Sequence, residues 1–293
     1  MESKIMEHLS SENELKLLDA VEILDKIVLI GNDVLIKIPT ADFQNYTFIL
    51  INFLQRFNGA FQSISILLNR YKNNPNIETS IGLIIRASLL DCIVLSYIGT
   101  YADDLQSDNI TNKHKFEEII NEFMSDQLNY VLKHLRLLKK CNQISSYEFQ
   151  EELNLAYSNF KYLFNLDIID EANPIENLIC KQVKSITHYY TRISSHSLTK
   201  DCSKNLYNLY IYYSKYDHFG SMTHFLQSHN IEYNFTRILI ALQHLIFGFK
   251  SSLNSLQLPN NDSIIKEKKT LEMLEMDFNN IVNWLYTSIN DWL

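Results

Sequence analysis

Long stretches of the chain repeat apolar residues every three or four positions, with polar residues between them. The clearest stretch runs from Ala41 to about Lys72, where the repeating residues are Phe43, Tyr46, Leu50, Phe53, Leu54, Phe57, Phe61, Ile64 and Leu68. This spacing places the apolar side chains on one face of a helix. The pattern therefore predicts an amphipathic helix that buries one side.

The same periodicity predicts further helices along the rest of the chain. We expect them at about 79–102, 113–140, 146–164, 174–190, 203–219, 231–256 and 263–291. Two of the predicted starts, Ser145 to Glu148 and Asn173 to Glu176, have the spacing of a capping box. Residues 191–203, TRISSHSLTKDCS, are mostly polar and are predicted to form a loop.

Residues that break helices are rare, since the 293-residue chain has 6 glycines and 4 prolines. We therefore predict an all-α protein, in which residues 41–293 form a single multi-helix bundle of about seven to nine helices. Residues 1–40 are predicted to be a separate N-terminal segment. Within it, residues 15–40 favour a helix, although KIVLIGNDVLIKIP also fits two short strands about a GND turn.

Charge and cysteine usage narrow the class of protein. The formal net charge of −8 disfavours a general affinity for phosphate backbones but leaves room for a local basic patch. The four cysteines are widely spaced. Cys92 and Cys180 lie in apolar segments, where we expect them to pack as small hydrophobes. The first residues are polar and no uncharged run is long enough to span a bilayer. We expect a cytoplasmic protein without a membrane partner.

Two charged residues lie inside the most apolar predicted helix, TSIGLIIRASLLDCIVLSYIG. These are Arg86 and Asp91, which are five positions apart and so lie well separated around the helix. An unpaired charge in a protein core costs several kcal/mol, roughly. Each residue therefore needs a partner from another helix, a ligand or water in a cavity.

The tyrosine-rich stretch NLYIYYSKYDH is the natural source of such partners. Ser214 and His218 are four positions apart on one helix face, and Asp217 can join them. We predict one polar cluster inside the bundle, and its members are Arg86, Asp91, Ser214, Asp217 and His218. Arg237 and His244, from the helix that begins at Ile231, are possible additional members. The cluster is either a structural network or a pocket in which arginine holds an anion and histidine moves protons.

The segments RASLLD, from Arg86 to Asp91, and YSKYDH, from Tyr213 to His218, resemble a pattern found in bacterial all-helical domains of unassigned function. Those domains are similar to the wider HEPN class of helical proteins that handle RNA and nucleotides in stress and anti-phage systems. This chain has Asp91 where the pattern has glutamate. Arg237 and His244, with six residues between them, also match the R-x4-6-H motif of HEPN ribonucleases.

The resemblance implies RNA or a nucleotide as partner, and a metal-independent ribonuclease or nucleotide-processing enzyme as the activity. In that reading Arg86 positions an anion, His218 is the acid–base or phosphate contact, and Asp91 and Ser214 orient them. The alternative is a non-enzymatic interaction module whose polar cluster only fixes helix register. Whether the protein is an enzyme stays open at this point.

The sequence contains few motifs that would indicate a cofactor, a metal or another kind of binding site. There is no glycine-rich phosphate loop and no HExxH motif, so we expect neither a cofactor nor a metal. The densest basic run, Lys133 to Lys140, is either a solvated helix face or a phosphate-binding stripe. The last predicted helix keeps an apolar stripe that must dock on the bundle or on a second chain, which makes a homodimer or a cognate partner protein possible.

Overall fold

The structure, a computed structural model, describes residues 9–38, 45–71, 73–74, 77–105, 110–164, 184–214, 231–256 and 262–290. Within these ranges it contains nine α-helices and no strand, which confirms the predicted all-α fold. The helices are α1 (Ser11–Lys37), α2 (Asn45–Tyr71), α3 (Glu78–Asp104), α4 (Ile110–Lys140), α5 (Ser146–Phe160), α6 (Ile186–Ser195), α7 (Lys200–Ser214), α8 (Ile231–Ser255) and α9 (Asp262–Asn290).

The helices fall into two compact units. The first unit comprises Met1–Tyr97 and Ile193–Leu293, and the second comprises Ile98–Arg192. Their boundaries lie inside α3 and α6, whereas the division proposed from the sequence is at residue 40. Helix α1 belongs to the first unit, where it packs on α2 and α9.

Four helices of the first unit form an antiparallel bundle, in which α1 and α8 each lie between α2 and α9. In every neighbouring pair, residues further along one helix contact residues less far along the other. The contacts that establish these directions are Asp25–Ser65 and Asn32–Asn58 for α1 with α2, and Phe61–Phe249 and Tyr71–Phe235 for α2 with α8. They are Gln243–Asn279 and Lys250–Glu275 for α8 with α9, and Lys16–Trp284 and Lys37–Glu267 for α1 with α9. Helices α3 to α7 are thus inserted between the second and third helices of the bundle.

Helix α1 is continuous, so the prediction of a helix is confirmed and the alternative of two strands about a GND turn is wrong. Its N-terminus is capped by Ser10, whose hydroxyl accepts a hydrogen bond from the Asn13 amide at 3.3 Å. Gly31 serves helix packing instead of a turn, because a Cβ atom there would lie 2.2 Å from Oδ1 of Asn58 on α2. The small residue lets the two helices approach closely.

The apolar stripe of α9 docks within the chain. Ile281, Val282 and Leu285 are buried, and the Lys16 ammonium of α1 lies 5.3 Å from the centre of the Trp284 ring. The stripe therefore covers the bundle over its described length. A homodimer or a cognate partner protein stays a prediction.

Helix α3 packs deep in the first unit through Ile81, Ile85 and Leu89, which are buried. It passes α8 closely at Gly248, where a Cβ atom would lie 3.0 Å from the Cys92 sulfur. Cys92 itself is 4% exposed, which confirms that it packs as a small hydrophobe. Among the described helices, α3 alone is long and apolar enough to cross a membrane, and 67% of its most apolar window is buried within the protein.

In the second unit, α4 packs along α5. The predicted capping box at the start of α5 is confirmed. The Glu148 amide donates to the Ser145 hydroxyl at 3.1 Å, and the Ser145 amide donates to the Glu148 carboxylate at 2.8 Å. Leu132 and Leu153 are fully buried between the two helices and the short turn that follows α5.

The loop predicted at residues 191–203 is mostly helical, so that prediction is wrong. Only residues 196–199 lie between α6 and α7. The polar residues of this stretch have partners inside the fold, which the sequence pattern did not reveal. The Thr199 hydroxyl, for example, donates to the Ile193 carbonyl at 2.6 Å and closes the turn between the helices. The second predicted capping box, Asn173 to Glu176, lies outside the described residues.

Candidate functional site

Tyrosines gather where α2, α3, α7 and α8 meet in the first unit, and we call this group the tyrosine cluster. Its members are Tyr71, Tyr210, Tyr212, Tyr213 and Tyr233. Three come from the last turns of α7, where Tyr210 and Tyr213 are three positions apart and face the core. Tyr212 lies at their edge, with its ring centre 5.1 Å from that of Tyr213.

A buried chain of hydrogen bonds links three helices beneath the cluster. The Tyr212 hydroxyl of α7 donates to Oδ1 of Asn234 on α8 at 3.2 Å. Nδ2 of Asn234 in turn donates to Oε2 of Glu78, the first residue of α3, at 2.7 Å. Glu78 and Asn234 are 8% and 3% exposed, so this chain brings a carboxylate into the protein interior.

Three tyrosines of the cluster have raised pKa values. Burial raises the pKa of Tyr71, and the nearby Glu78 carboxylate raises it further. Burial likewise raises the pKa of Tyr213 well above its usual value and also raises the pKa of Tyr212. The hydroxyl protons of Tyr71 and Tyr212 are donated within the protein, to the Ile231 carbonyl and to Asn234.

Arg237 lies between two aromatic rings. Its guanidinium carbon is 3.8 Å from the centre of the Tyr212 ring and 4.3 Å from that of Tyr233, and it donates a hydrogen bond to the Tyr233 hydroxyl. Within the part of the chain that the structure describes, no carboxylate lies within 4 Å of this guanidinium. The two rings orient a planar cation and leave its other donors available.

A second guanidinium, that of Arg86, lies against the same group of tyrosines. Its Nε donates to the Ser214 hydroxyl at 3.4 Å, and its Nη2 lies 3.5 Å from the Tyr210 hydroxyl. Ser214 donates to the Tyr210 carbonyl one turn earlier, at 2.8 Å. The structure therefore brings together Arg86 and Ser214, which the sequence had placed in one cluster.

Asp91 has a partner that the sequence did not predict, and its place beside Arg86 and Ser214 stays a prediction. Its carboxylate accepts a hydrogen bond from Nε of Arg56 on α2 at 2.8 Å. The five-residue separation from Arg86 turns Asp91 towards α2. Burial raises the pKa of Asp91 to about 6, and the Arg56 charge opposes that rise.

His244 also lies apart from the tyrosine cluster. It follows Arg237 by seven residues on α8, which places it about 10 Å further along the same face of the helix. Its carbonyl accepts a hydrogen bond from the Cys92 thiol at 3.5 Å, and burial lowers the pKa of its imidazole. Arg237 and His244 therefore lie two turns apart on α8.

His218 and Asp217 lie outside the described residues, so their place in the cluster stays a prediction. No group of three or more potential metal ligands occurs among the residues that the structure describes. The chemistry that these described side chains can supply is hydrogen bonding and positive charge toward an anion.

Sequence reasoning missed Glu78, Asn234, Tyr233 and Arg56. A signal for Asn234 was present, since it occupies an inward position of the apolar pattern of α8, three residues after Ile231. Arg56 gave no signal, because its position on the exposed face of α2 is typical of a solvated arginine.

No protein-family model matches this chain, and no match to it was found among curated proteins or solved structures.

Proposed function

We propose that this protein binds RNA or a nucleotide through phosphate, with Arg237 as the principal phosphate contact and Arg86 as a second one. The observation that carries the proposal is the guanidinium of Arg237 between the rings of Tyr212 and Tyr233. A stacked arginine presents its donors in the plane that a phosphate accepts. The exposed ring of Tyr233, 44% accessible to solvent, offers a surface on which a base can stack.

The chemical step in this proposal belongs to His218, as the acid–base group beside Arg86 and Ser214. Arginine and histidine suffice for metal-independent cleavage of RNA, since one stabilises the phosphate charge and the other transfers the proton. The resemblance of RASLLD and YSKYDH to HEPN-like domains supports a setting in bacterial stress or anti-phage defence. This step is tested apart from binding, by comparing growth and total RNA in cells that express wild type or His218→Ala.

The binding proposal is tested with Arg237→Gln. We would measure the fluorescence anisotropy of a labelled 20-nucleotide single-stranded RNA, and the binding of ATP and GTP by calorimetry. Losing a charge-assisted contact to phosphate should weaken binding about 10- to 100-fold. Arg237→Lys keeps the charge but loses the planar fork, so it should recover only part of the affinity.

The matched control is Arg192→Gln. Arg192 also lies over a tyrosine, 4.7 Å from the centre of the Tyr101 ring, but it forms an ion pair with Asp104. The same loss of charge should leave RNA and nucleotide affinity within about twofold of wild type. Equal affinity of wild type and Arg237→Gln for every ligand, with both proteins folded, would remove the proposal.

A non-enzymatic interaction module is the second candidate, and the buried chain from Glu78 through Asn234 to Tyr212 favours it. This chain ties three helices and needs no ligand to explain it. In that case Arg237→Gln and His218→Ala would change the melting temperature but no ligand affinity or RNA level. Capture of RNA by the wild-type protein and its loss in Arg237→Gln separates the two candidates.

A further inference from the structure

The exposed face of α4, in the second unit, carries a row of basic and aromatic side chains that we call the α4 stripe. Its members are Tyr130, Lys133, His134, Leu137 and Lys140. At 3.6 residues per turn they fall within an arc of about 120°. Leu128 and Leu132, on the opposite side of the helix, are buried, so the stripe faces away from the core of this unit.

We propose that the α4 stripe is a binding surface for single-stranded RNA. The surface shares no residue with the tyrosine cluster, so the inference goes beyond the proposed function and does not depend on it. The stripe is about 15 Å long from Tyr130 to Lys140, which is longer than one nucleotide, so the ligand we propose is a strand of several nucleotides.

Charge supports an anionic partner here. In a chain of net charge −8, no aspartate or glutamate occurs between Asp126 and Glu148, while that interval holds four lysines and arginines and one histidine. Lys133 and Lys140 are exposed and form no ion pair with any residue that the structure describes. Their charges are therefore available to phosphates.

Two of the three carboxylates on α5 are engaged locally, and the third, Glu152, is exposed. Glu148 accepts the Ser145 amide in the capping box, and Glu151 accepts the Tyr147 hydroxyl at 2.7 Å. Asp126, one turn before Tyr130, lies at the N-terminal end of the stripe and closes it on that side. The basic segment therefore has a defined acidic boundary.

The aromatic rings favour RNA over a lipid surface. Tyr130 is 76% exposed, and His134 follows one turn later on the same face, so two rings stand beside the lysines as platforms for bases. A helix that lies in a membrane surface needs a broad apolar face to insert. The apolar face of α4 is turned into the protein instead, and only Leu137 adds a large apolar side chain to the stripe.

The test is the double variant Lys133→Gln/Lys140→Gln, measured by anisotropy with a labelled 20-nucleotide oligo(U) at several salt concentrations. We expect binding to weaken at least fivefold at low salt. The slope of log affinity against log salt should fall by about 1.4, since each phosphate contact to a single strand contributes about 0.7. Tyr130→Ala should weaken binding with little change in that slope.

Lys266→Gln/Lys269→Gln removes the same charge from two exposed lysines of α9 and should bind as wild type. Unchanged affinity and salt slope in the α4 variant would overturn the inference, as would binding to phosphatidylglycerol vesicles without binding to RNA. Nucleotide binding by calorimetry keeps the two proposals apart. Loss of nucleotide binding in Arg237→Gln alone supports the tyrosine cluster, and loss of RNA binding in the α4 variant alone supports the stripe.

Discussion

At the scale of single residues, three charged side chains of α2, α3 and α8 are accommodated in two different ways. Asp91 is buried and has a cation, Arg56, as its hydrogen-bond partner. Arg237 is half-buried and is held by ring faces. The Asp91 carboxylate has its partner within the protein, whereas the Arg237 guanidinium is oriented for a ligand.

The raised pKa of Asp91 predicts a pH dependence of stability. The folded-state pKa, about 6, lies above the ordinary pKa of an aspartate, so the stabilising contribution is complete at low pH and is lost as pH rises through 6. Between pH 4 and pH 7.5 this carboxyl should lower the free energy of unfolding by about 2 kcal/mol. Asp91→Asn should remove that slope, measured as the difference between urea denaturation curves at the two pH values.

Subtracting the variant from wild type cancels the opposing effect of His244, whose pKa is lowered by burial. If the difference in stability between wild type and Asp91→Asn were the same at both pH values, the pKa of Asp91 would not be raised in the folded protein. An increase in the stability of wild type relative to the variant at pH 7.5 would contradict the prediction outright.

Tyr212 offers a second prediction at this scale, because its ring lies over Arg237 while its hydroxyl bonds to Asn234 as well as to Arg237. Tyr212→Phe keeps the ring over Arg237 and removes the hydroxyl, and with it the hydrogen bonds to Asn234 and Arg237. The free energy of unfolding should fall by about 1 kcal/mol, while RNA affinity stays within about twofold of wild type. A large loss of affinity without loss of stability would show that the hydroxyl contacts the ligand.

The sequence could predict part of this site and not the rest. It placed Ser214 with Arg86, because both are polar residues in apolar helical segments and each needs a partner. It could not choose the partner of Asp91, since Arg56 becomes a neighbour only when α2 and α3 pack together. The rings of Tyr212 and Tyr233 likewise meet Arg237 only through the packing of α7 on α8.

At the scale of helices, two glycines of the α1–α2 hairpin should respond in opposite ways to the same substitution. Gly31→Ala forces a Cβ atom to within 2.2 Å of Asn58 Oδ1 and should destabilise the protein by about 1 to 3 kcal/mol. Gly59→Ala, with open space around its Cβ position, should stabilise it by up to about 1 kcal/mol through helix propensity. Thermal denaturation of both variants checks the pair, and a Gly31→Ala variant as stable as wild type would refute the close contact at Gly31.

Helix existence was predictable where the signal is local. The capping box from Ser145 to Glu148 depends on four consecutive residues, and the structure has it as predicted. The prediction of a loop at residues 191–203 was wrong because polar residues there form hydrogen bonds within the fold, as Arg192 does with Thr100 and Asp104. Periodicity detects apolar burial and does not detect polar residues that are bonded within the fold.

At the scale of the whole molecule, the tyrosine cluster combines residues of two bundle helices, α2 and α8, with residues of α3 and α7. The arginines of the tyrosine cluster come from α3 and α8, which are more than a hundred residues apart in the chain. Since the net charge of the protein is −8, RNA should be held by local groups of cations and not by a general attraction. Affinity for single-stranded RNA should therefore fall with salt by a slope that a few contacts explain.

The central claim is that the guanidinium of Arg237 contacts a phosphate. Its most direct test follows the arginine Nε–Hε signals by NMR in protein labelled with 15N-arginine, with Arg237 assigned by its absence in Arg237→Lys. Titration with single-stranded RNA should shift the Arg237 signal to saturation and leave the ion-paired Arg192 signal in place. An Arg237 signal that stays fixed while the RNA saturates the protein would contradict the account.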